Sequence, residues 1–434
     1  MPDVNPTTAS ADVVVVGAGQ AGLAVAAHLA RSGFVPASPA ADGTTADRTT
    51  ADGRGTGPRA DGGRPTYVVL DAAAGPGGAW RERWPGLTMR TVNGVYELPG
   101  RPLPTFDADE PASRALTRYF GAYERDLGLA VRRPVEVRRV RDVGGPARLL
   151  AVETEETERV PVPAPDPDDG LGGGAGACRA EAATAPRRVR RTWHARALVN
   201  ATGTWTRPFW PTYSGSGSFA GIQRHTHDYR SPEEFAGRRV LVVGGGISAV
   251  QHLLAIHPVA ASTTWVTRRP PDWRDAEFSP DLGREAVARV DERTRAGLPP
   301  QSIVAATGLP LTDAYRDGIA RGVLVARPMF ARLVPDGAEW DEAAARGPLA
   351  DGWVTGPEHV AADAVLWATG FRAALDHLRP LGLRGTGGGI VMDGTRVVAD
   401  PRVQLVGYGP SASTVGANRA GRAAVRELRR YLGA

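Results

Sequence analysis

Residues 12–22 read DVVVVGAGQAG. The four consecutive valines make a β-branched run suited to a parallel strand buried on both faces. Gly17-Ala18-Gly19-Gln20-Ala21-Gly22 then has the form G-x-G-x-x-G. In such a turn the first glycine permits the tight bend and the second lets a pyrophosphate approach the backbone. The third lets the following helix pack close to the strand. The phosphates lie on the helix N-terminus, where free N–H groups and the helix dipole favour negative charge. The motif is weak alone, but its context supports it, because the helical stretch LAVAAHLARSG follows directly.

A dinucleotide site of this kind also needs a carboxylate at the end of the second strand, about 20 residues on, to hold the ribose hydroxyls. Here the second strand is YVVLD, and it ends at Asp71, forty-nine positions after Gly22. The stretch between them, SPAADGTTADRTTADGRGTGPRADGGRP, has no apolar periodicity and reads as a flexible surface insertion over about 37–65. Removing it restores the usual spacing and makes Asp71 the ribose-binding acid. The plainer alternative is a strand-end turn residue.

The plan repeats in RRVLVVGGGISAVQHLLAI. Gly244-Gly245-Gly246-Ile247-Ser248-Ala249 has the form G-x-G-x-x-A, with a strand before it and a helix after. The next strand, TTWV, ends at Thr267-Arg268-Arg269. An acid there would favour NADH, whereas arginine suits the 2′-phosphate of NADPH through charge-assisted, bidentate contacts. The alternative is two exposed arginines in an arginine-rich chain. With Asp71 at the first site, the two sites read as specialised. FAD falls to Gly17, Gly19, Gly22 and Asp71, and NADPH to Gly244, Gly246, Ser248, Arg268 and Arg269.

Composition narrows the remaining classes. The chain has 434 residues, too many for one ordinary core. Its one cysteine, Cys178, excludes an intramolecular disulfide and a Cys-x-x-Cys redox pair. No lysine occurs, so all 52 basic residues are arginine, which rules out Schiff-base chemistry and a P-loop lysine. The net charge is +5, with the arginines spread along the chain and largely matched by acids, so a solvated surface is the reading and no nucleic-acid partner is expected. No apolar run reaches the roughly 18 residues of a membrane helix, and the N-terminus has no signal-peptide pattern. A cytoplasmic protein without a membrane partner is therefore the expectation.

The rest of the chain alternates strands and helices, an α/β pattern. Residues 135–155 suggest an antiparallel meander. A second Pro/Gly/Ala-rich loop over about 160–187 holds Cys178, and the strand ARALVNATG follows. An irregular region with helical pieces runs over about 271–350. The strand ADAVLWATG comes near 363, VQLVGYG near 403, and the helix ANRAGRAAVRELRRYL closes the chain.

Three further motifs carry a resemblance. Phe219-Ala-Gly221-Ile-Gln-Arg-His225-Thr-His-Asp-Tyr229 fits F-x-G-x-x-x-H-x-x-x-[YF] just ahead of the second glycine turn. Ala368-Thr369-Gly370-Phe371 fits A-T-G-[FY], and Gly77-Gly78-Ala79-Trp80 fits G-G-x-W after the ribose-binding acid. With the two glycine turns, five motifs stand in the order found in class B flavin-dependent monooxygenases, and the chain resembles that family over its length apart from the two insertions. The likeness extends to bacterial flavoproteins described as cation-transport-associated oxidoreductases. It implies two Rossmann-like dinucleotide-binding domains, the NADPH domain (206–354) inserted into an FAD domain made of 1–205 and 355–434.

The resemblance also implies an activity. NADPH reduces FAD, reduced FAD and molecular oxygen form a flavin hydroperoxide, and a small nucleophilic substrate takes one oxygen atom. The ending Tyr229-Arg230, in place of Trp followed by Pro or Asp, points away from Baeyer–Villiger members and towards oxidation of sulfur or nitrogen. Baeyer–Villiger chemistry and a reductase or dehydrogenase without oxygen transfer are the alternatives. On the catalytic side stand His225, an organising residue at the junction of the domains, and Asn93, near the flavin in similar enzymes or else a turn-forming Asn-Gly. Trp80 either lines the ring or packs. Gly78, Thr369 and Gly370 are cofactor-binding by the same likeness, and the backbone of GYGPSASTVGANRAG is placed to meet the flavin's pyrimidine oxygens. His225 and His227 form an H-x-H pair without accompanying ligands, so no metal is assigned. A homo-oligomer is compatible with the sequence.

Overall fold

The computed structural model describes residues 7–38, 63–92, 94–161, 184–275, 280–300, 308–412 and 414–434. Val13–Val16 lie in mid-sheet within the strand Thr7–Val16, Val13 opposite Tyr67 on one side and Ala197 on the other, both partners parallel. Successive valines point to opposite faces. Val13 and Val15 enter a core with Leu23, Leu29 and Leu428, and Val14 and Val16 enter another with Val140, Val152 and Leu378. With no wet face, the valine run has no alternation of polarity.

The larger sheet takes strands from both ends of the chain. In spatial order its main path ends Val403–Leu405, Thr184–Asn200, Thr7–Val16, Thr66–Leu70, Val35–Pro36. The strands Val135–Gly144 and Leu149–Pro161 complete an antiparallel meander with Thr184–Asn200, as the alternating pattern there predicts. The helix Gln20–Arg31 packs against the C-terminal helix Thr414–Leu432, where a Cβ on Gly421 would lie 3.2 Å from Ala24.

A second sheet, wholly parallel, holds five strands in the order Ala326–Pro328, Ser262–Thr267, Arg239–Val243, Ala364–Trp367, Ile222–His225. It lies in sequence between the two parts of the first, so two α/β units are nested. The second sheet runs on past the boundary expected at 354. Ala364–Trp367, fully apolar and buried, is an inner strand between Arg239–Val243 and Ile222–His225. The insertions are also shorter than expected at their edges. Ala37 N–H bonds Tyr67 O at 2.8 Å, and Pro161 pairs with Thr184 at the end of the meander. Residues 39–62 and 162–183, with Cys178, lie outside the described residues. Among the described residues no helix is long and apolar enough to cross a membrane.

The chain leaves the first sheet after Asn200 and re-enters it beyond Trp367, and the two linkers are bonded to each other. Phe209 N–H donates to Gly370 O at 2.9 Å, Arg372 N–H to Arg207 O at 2.8 Å, and Ala374 N–H to Gly203 O at 3.0 Å. A third core bridges the halves, with Trp84, Leu87 and Leu116 against Tyr229, Phe235 and Leu253.

Candidate active site at the junction of two dinucleotide folds

Each glycine turn has the geometry of a phosphate cradle. Gly17 has φ +96°, and a Cβ there would lie 2.6 Å from Ala201 O; one on Gly22 would lie 1.8 Å from Gly17 O. Gly19 is the N-cap of the helix Gln20–Arg31, with no capping side chain. Gly78, at φ +53°, crosses over Gly19, and a Cβ there would come within 2.7 Å of Gly19 Cα. A helix N-terminus left uncapped, under glycines that keep side chains away, fits an anionic pyrophosphate. Asp71 follows the strand Thr66–Leu70 beside this turn, since Gly17 N–H donates to Leu70 O at 2.7 Å. Its Oδ2 accepts from Arg133 Nε at 2.5 Å, and Arg133 also grips Glu124 at 2.6 and 2.8 Å. Among the described residues Oδ1 has no such partner.

The second turn repeats this. Gly244 has φ +145°, with a Cβ placed 2.2 Å from Ala368 O, and Gly246 caps the helix Ile247–Ile256 without a side-chain bond. Ser248 lies in the first turn of that helix. Arg268 and Arg269 follow the strand Ser262–Thr267, both exposed. Among the described residues neither has an ion pair.

Both turns close on an Ala-Thr-Gly triplet. Ala201-Thr202-Gly203 meets the first as Ala368-Thr369-Gly370 meets the second. The two threonines brace opposite linkers: Thr202 Oγ1 donates to Ala374 O at 2.7 Å, and Thr369 Oγ1 to Phe209 O at 2.6 Å. Sequence reasoning assigns no role to the earlier triplet, although its letters repeat the later one.

His225 is fully buried at the end of Ile222–His225. Its Nδ1 accepts the His227 N–H at 3.0 Å, which places the proton on Nε2, facing Gly370 O at 3.1 Å. Burial holds its pKa below the ordinary histidine value, so the ring is neutral at neutral pH. Both ring nitrogens are thus engaged within the chain, one of them on the Ala-Thr-Gly linker. The Phe371 ring meets it edge-on at 5.1 Å. His227 turns outward to Asp228 at 2.8 Å.

Trp205 stacks on Phe371 at 4.9 Å and lies 5.0 Å from His227. The Arg83 guanidinium sits over Trp205 at 4.1 Å and lies 5.8 Å from Trp80. Four buried polar atoms in this region have no hydrogen-bond partner: Arg83 Nε, Trp205 Nε1, Thr226 Oγ1 and His252 Nε2. Buried polar groups are ordinarily satisfied, so these atoms are open to a bound molecule or to ordered water. Neither Arg83 nor Trp205 stands out in the sequence. Asn93 lies outside the described residues. In the C-terminal loop, a Cβ on Gly407 would lie 3.4 Å from the Ala21 Cβ, and Ser411 Oγ accepts from the Gly407 and Tyr408 N–H groups at 3.0 and 3.1 Å. That loop therefore stands beside the first turn.

Two nested α/β units with paired phosphate cradles define a flavoprotein oxidoreductase of the two-dinucleotide type. Residues 188–299 match the family described as pyridine nucleotide-disulphide oxidoreductase. The flavin-containing monooxygenase of Stenotrophomonas maltophilia is 33% identical with a TM-score of 0.67, over 98% of this chain and 99% of that one. The chain belongs to the flavin-dependent monooxygenase family, whose cofactors are FAD and NADPH. The indole-3-pyruvate monooxygenase YUCCA4 of Oryza sativa is 27% identical over 271 residues, 61% of this chain and 49% of that protein. A Baeyer–Villiger monooxygenase of Streptomyces coelicolor is 26% identical over 210 residues, 48% of this chain and 34% of that protein. The chain spans about half the length, or less, of these curated relatives.

Proposed function

We propose that the protein is an NADPH-dependent flavin monooxygenase that transfers one oxygen atom from molecular oxygen to a small substrate bearing a soft sulfur or nitrogen nucleophile. The observation that carries this reading is the junction itself: two uncapped phosphate cradles, each closed by an Ala-Thr-Gly triplet, tied together through His225 and Gly370. FAD, when bound, supplies hydride acceptance and oxygen activation. Gly17, Gly19, Gly22 and Gly78 make room for its pyrophosphate, and Asp71 Oδ1 holds its ribose. Gly244, Gly246 and Ser248 receive the NADPH pyrophosphate, and Arg268 and Arg269 its 2′-phosphate. Trp80 and Trp205 exclude water from the junction, and Thr369 and Gly370 hold the linker in register. We assign the first cradle with its meander and C-terminal helix to FAD, and the intervening unit to NADPH.

Such a site asks little of protein acids and bases, which agrees with the neutral, doubly bonded His225. The test is a sulfoxidation assay in labelled oxygen. A thioether should raise NADPH consumption and give a sulfoxide carrying one labelled atom. Consumption that yields only hydrogen peroxide would make the protein a reductase. Similarity to the S. coelicolor protein favours a second reading, Baeyer–Villiger oxidation, and lactone formation from cyclohexanone under the same conditions would select it.

A further inference from the structure

Arg83 is a charged side chain of the junction to which the dinucleotide assignments give no role. Its guanidinium carbon lies over the Trp205 ring, 4.1 Å from the centroid, with Trp80 at 5.8 Å. Among the described residues its side chain has no ion pair and no hydrogen bond, and its Nε is buried without a partner. Other inward-facing arginines of this chain are held by carboxylates. Arg133 has Asp71 and Glu124, Arg191 has Glu156, and Arg402 has Asp400 and Asp142. Arg327, which lacks an acid, donates to Pro357 O at 2.8 Å, although its Nε and Nη1 are buried without partners; Arg83 differs in having no side-chain hydrogen bond at all among the described residues. Burial alone pulls the Arg83 pKa down, to about 10, so the group stays charged at neutral pH. The residue is half-buried with its Nε enclosed, and an unpaired, partly desolvated cation is a candidate place for a counter-charge to arrive with a ligand.

The counter-charge has few sources. Both pyrophosphates have helix N-termini of their own, and the 2′-phosphate has Arg268 and Arg269. Arg83 instead faces the aromatic rings that join the motifs, since Trp205 touches both Phe371 and His227. A guanidinium seated over an indole, with no hydrogen bond among the described residues, has N–H donors available for a bidentate acceptor.

Resting on the monooxygenase reading, we propose that Arg83 anchors a carboxylate of the substrate, so that the preferred substrates are small organic acids carrying a thioether or comparable nucleophile, with Trp205 and Trp80 as the apolar wall beside the charge. The acid end is held at Arg83 while the nucleophilic end is presented to the flavin; the anchor itself makes or breaks no bond.

The test is a binding titration of the FAD-bound protein, independent of turnover. Phenylthioacetate and its methyl ester are added in turn while flavin absorbance and tryptophan fluorescence are followed. The acid should bind about tenfold to a hundredfold more tightly than the ester, the range for one charge-assisted bidentate contact. Arg83→Gln should abolish that preference, and Arg83→Lys should keep part of it. Equal binding of acid and ester by the native protein overturns the proposal, as does a preference that survives in Arg83→Gln. FAD content and NADPH affinity are measured on the same variants. If these fall while the acid preference holds, the charge serves a cofactor and the proposal is wrong. A separate sulfoxide assay divides the two readings: an acid that binds through Arg83 yet gives no sulfoxide leaves the anchor standing and removes the monooxygenase.

Discussion

Arg268 and Arg269 sit exposed beyond the strand that ends at Thr267, with no ion pair among the described residues, open to a 2′-phosphate. Replacing both with alanine should raise the KM for NADPH about tenfold to a hundredfold, the scale of charge-assisted hydrogen bonds, with little change for NADH. A ratio of the two KM values that stays constant would assign the arginines to the surface. His225 acts through what it holds. His225→Ala leaves Gly370 O with only the Phe209 N–H, and should slow flavin reduction by NADPH by about tenfold to a hundredfold, as a small displacement of reacting groups does. His225→Gln, which can still donate to Gly370 O, should recover part of the rate. Because burial lowers its pKa below the ordinary histidine value, the native reduction rate should show no limb from this histidine between pH 7.5 and 9. These residues stand out as candidates in the sequence because local motifs place them. Arg83 and Arg133 are not, since one is defined by a missing partner and a ring far along the chain, and the other by an ion pair to Asp71 across the sheet.

At the scale of elements, the two glycine turns are alike in form and separable in effect. Gly22 packs its helix so close that a Cβ would stand 1.8 Å from Gly17 O. Gly22→Ala must therefore shift the helix Gln20–Arg31 off the strand, and the purified protein should be colourless, with FAD content well below one per chain. Gly244, at φ +145° and with its Cβ position 2.2 Å from Ala368 O, meets the same conflict in the other unit. Gly244→Ala should stay yellow and lose reduction by NADPH, while chemical reduction of its flavin proceeds. The pair of absorbance measurements distinguishes the cradles, and an exchange of outcomes would reverse the assignment of FAD and NADPH. Both turns are readable in sequence because a glycine spacing encodes a steric fact. Of the two Ala-Thr-Gly triplets that close them, only the later is readable in the same way, since Ala201–Gly203 gains meaning only from its contact with Gly17.

Across the whole molecule, the α/β class and the nested order follow from buried valine runs and repeated turns. The extent of each unit does not, because Ala364–Trp367 would suit an inner strand of either sheet and pairing alone selects the second. Several histidines are buried and neutral in the folded protein. Burial lowers the pKa of His252 to about 3 and of His377, bonded to Asn200 Oδ1 at 2.7 Å, to about 4; His225 is lowered too. Unfolded, these rings take up protons near pH 6.5. Below that value the unfolded state binds more protons than the folded one, so stability falls as pH falls, and above it the contribution is complete and constant. His252, wholly enclosed, should cost about 1.4 kcal/mol per pH unit below 6.5; His377, partly open to solvent, should cost less. The urea midpoint of the FAD-bound protein should accordingly be level from pH 8 to 7 and decline steadily from pH 6.5 to 5. His377→Gln, whose amide can still bond Asn200, should show a shallower decline. A native midpoint that stays level down to pH 5 would mean that these rings are already protonated in the folded protein, and that the junction admits water to them.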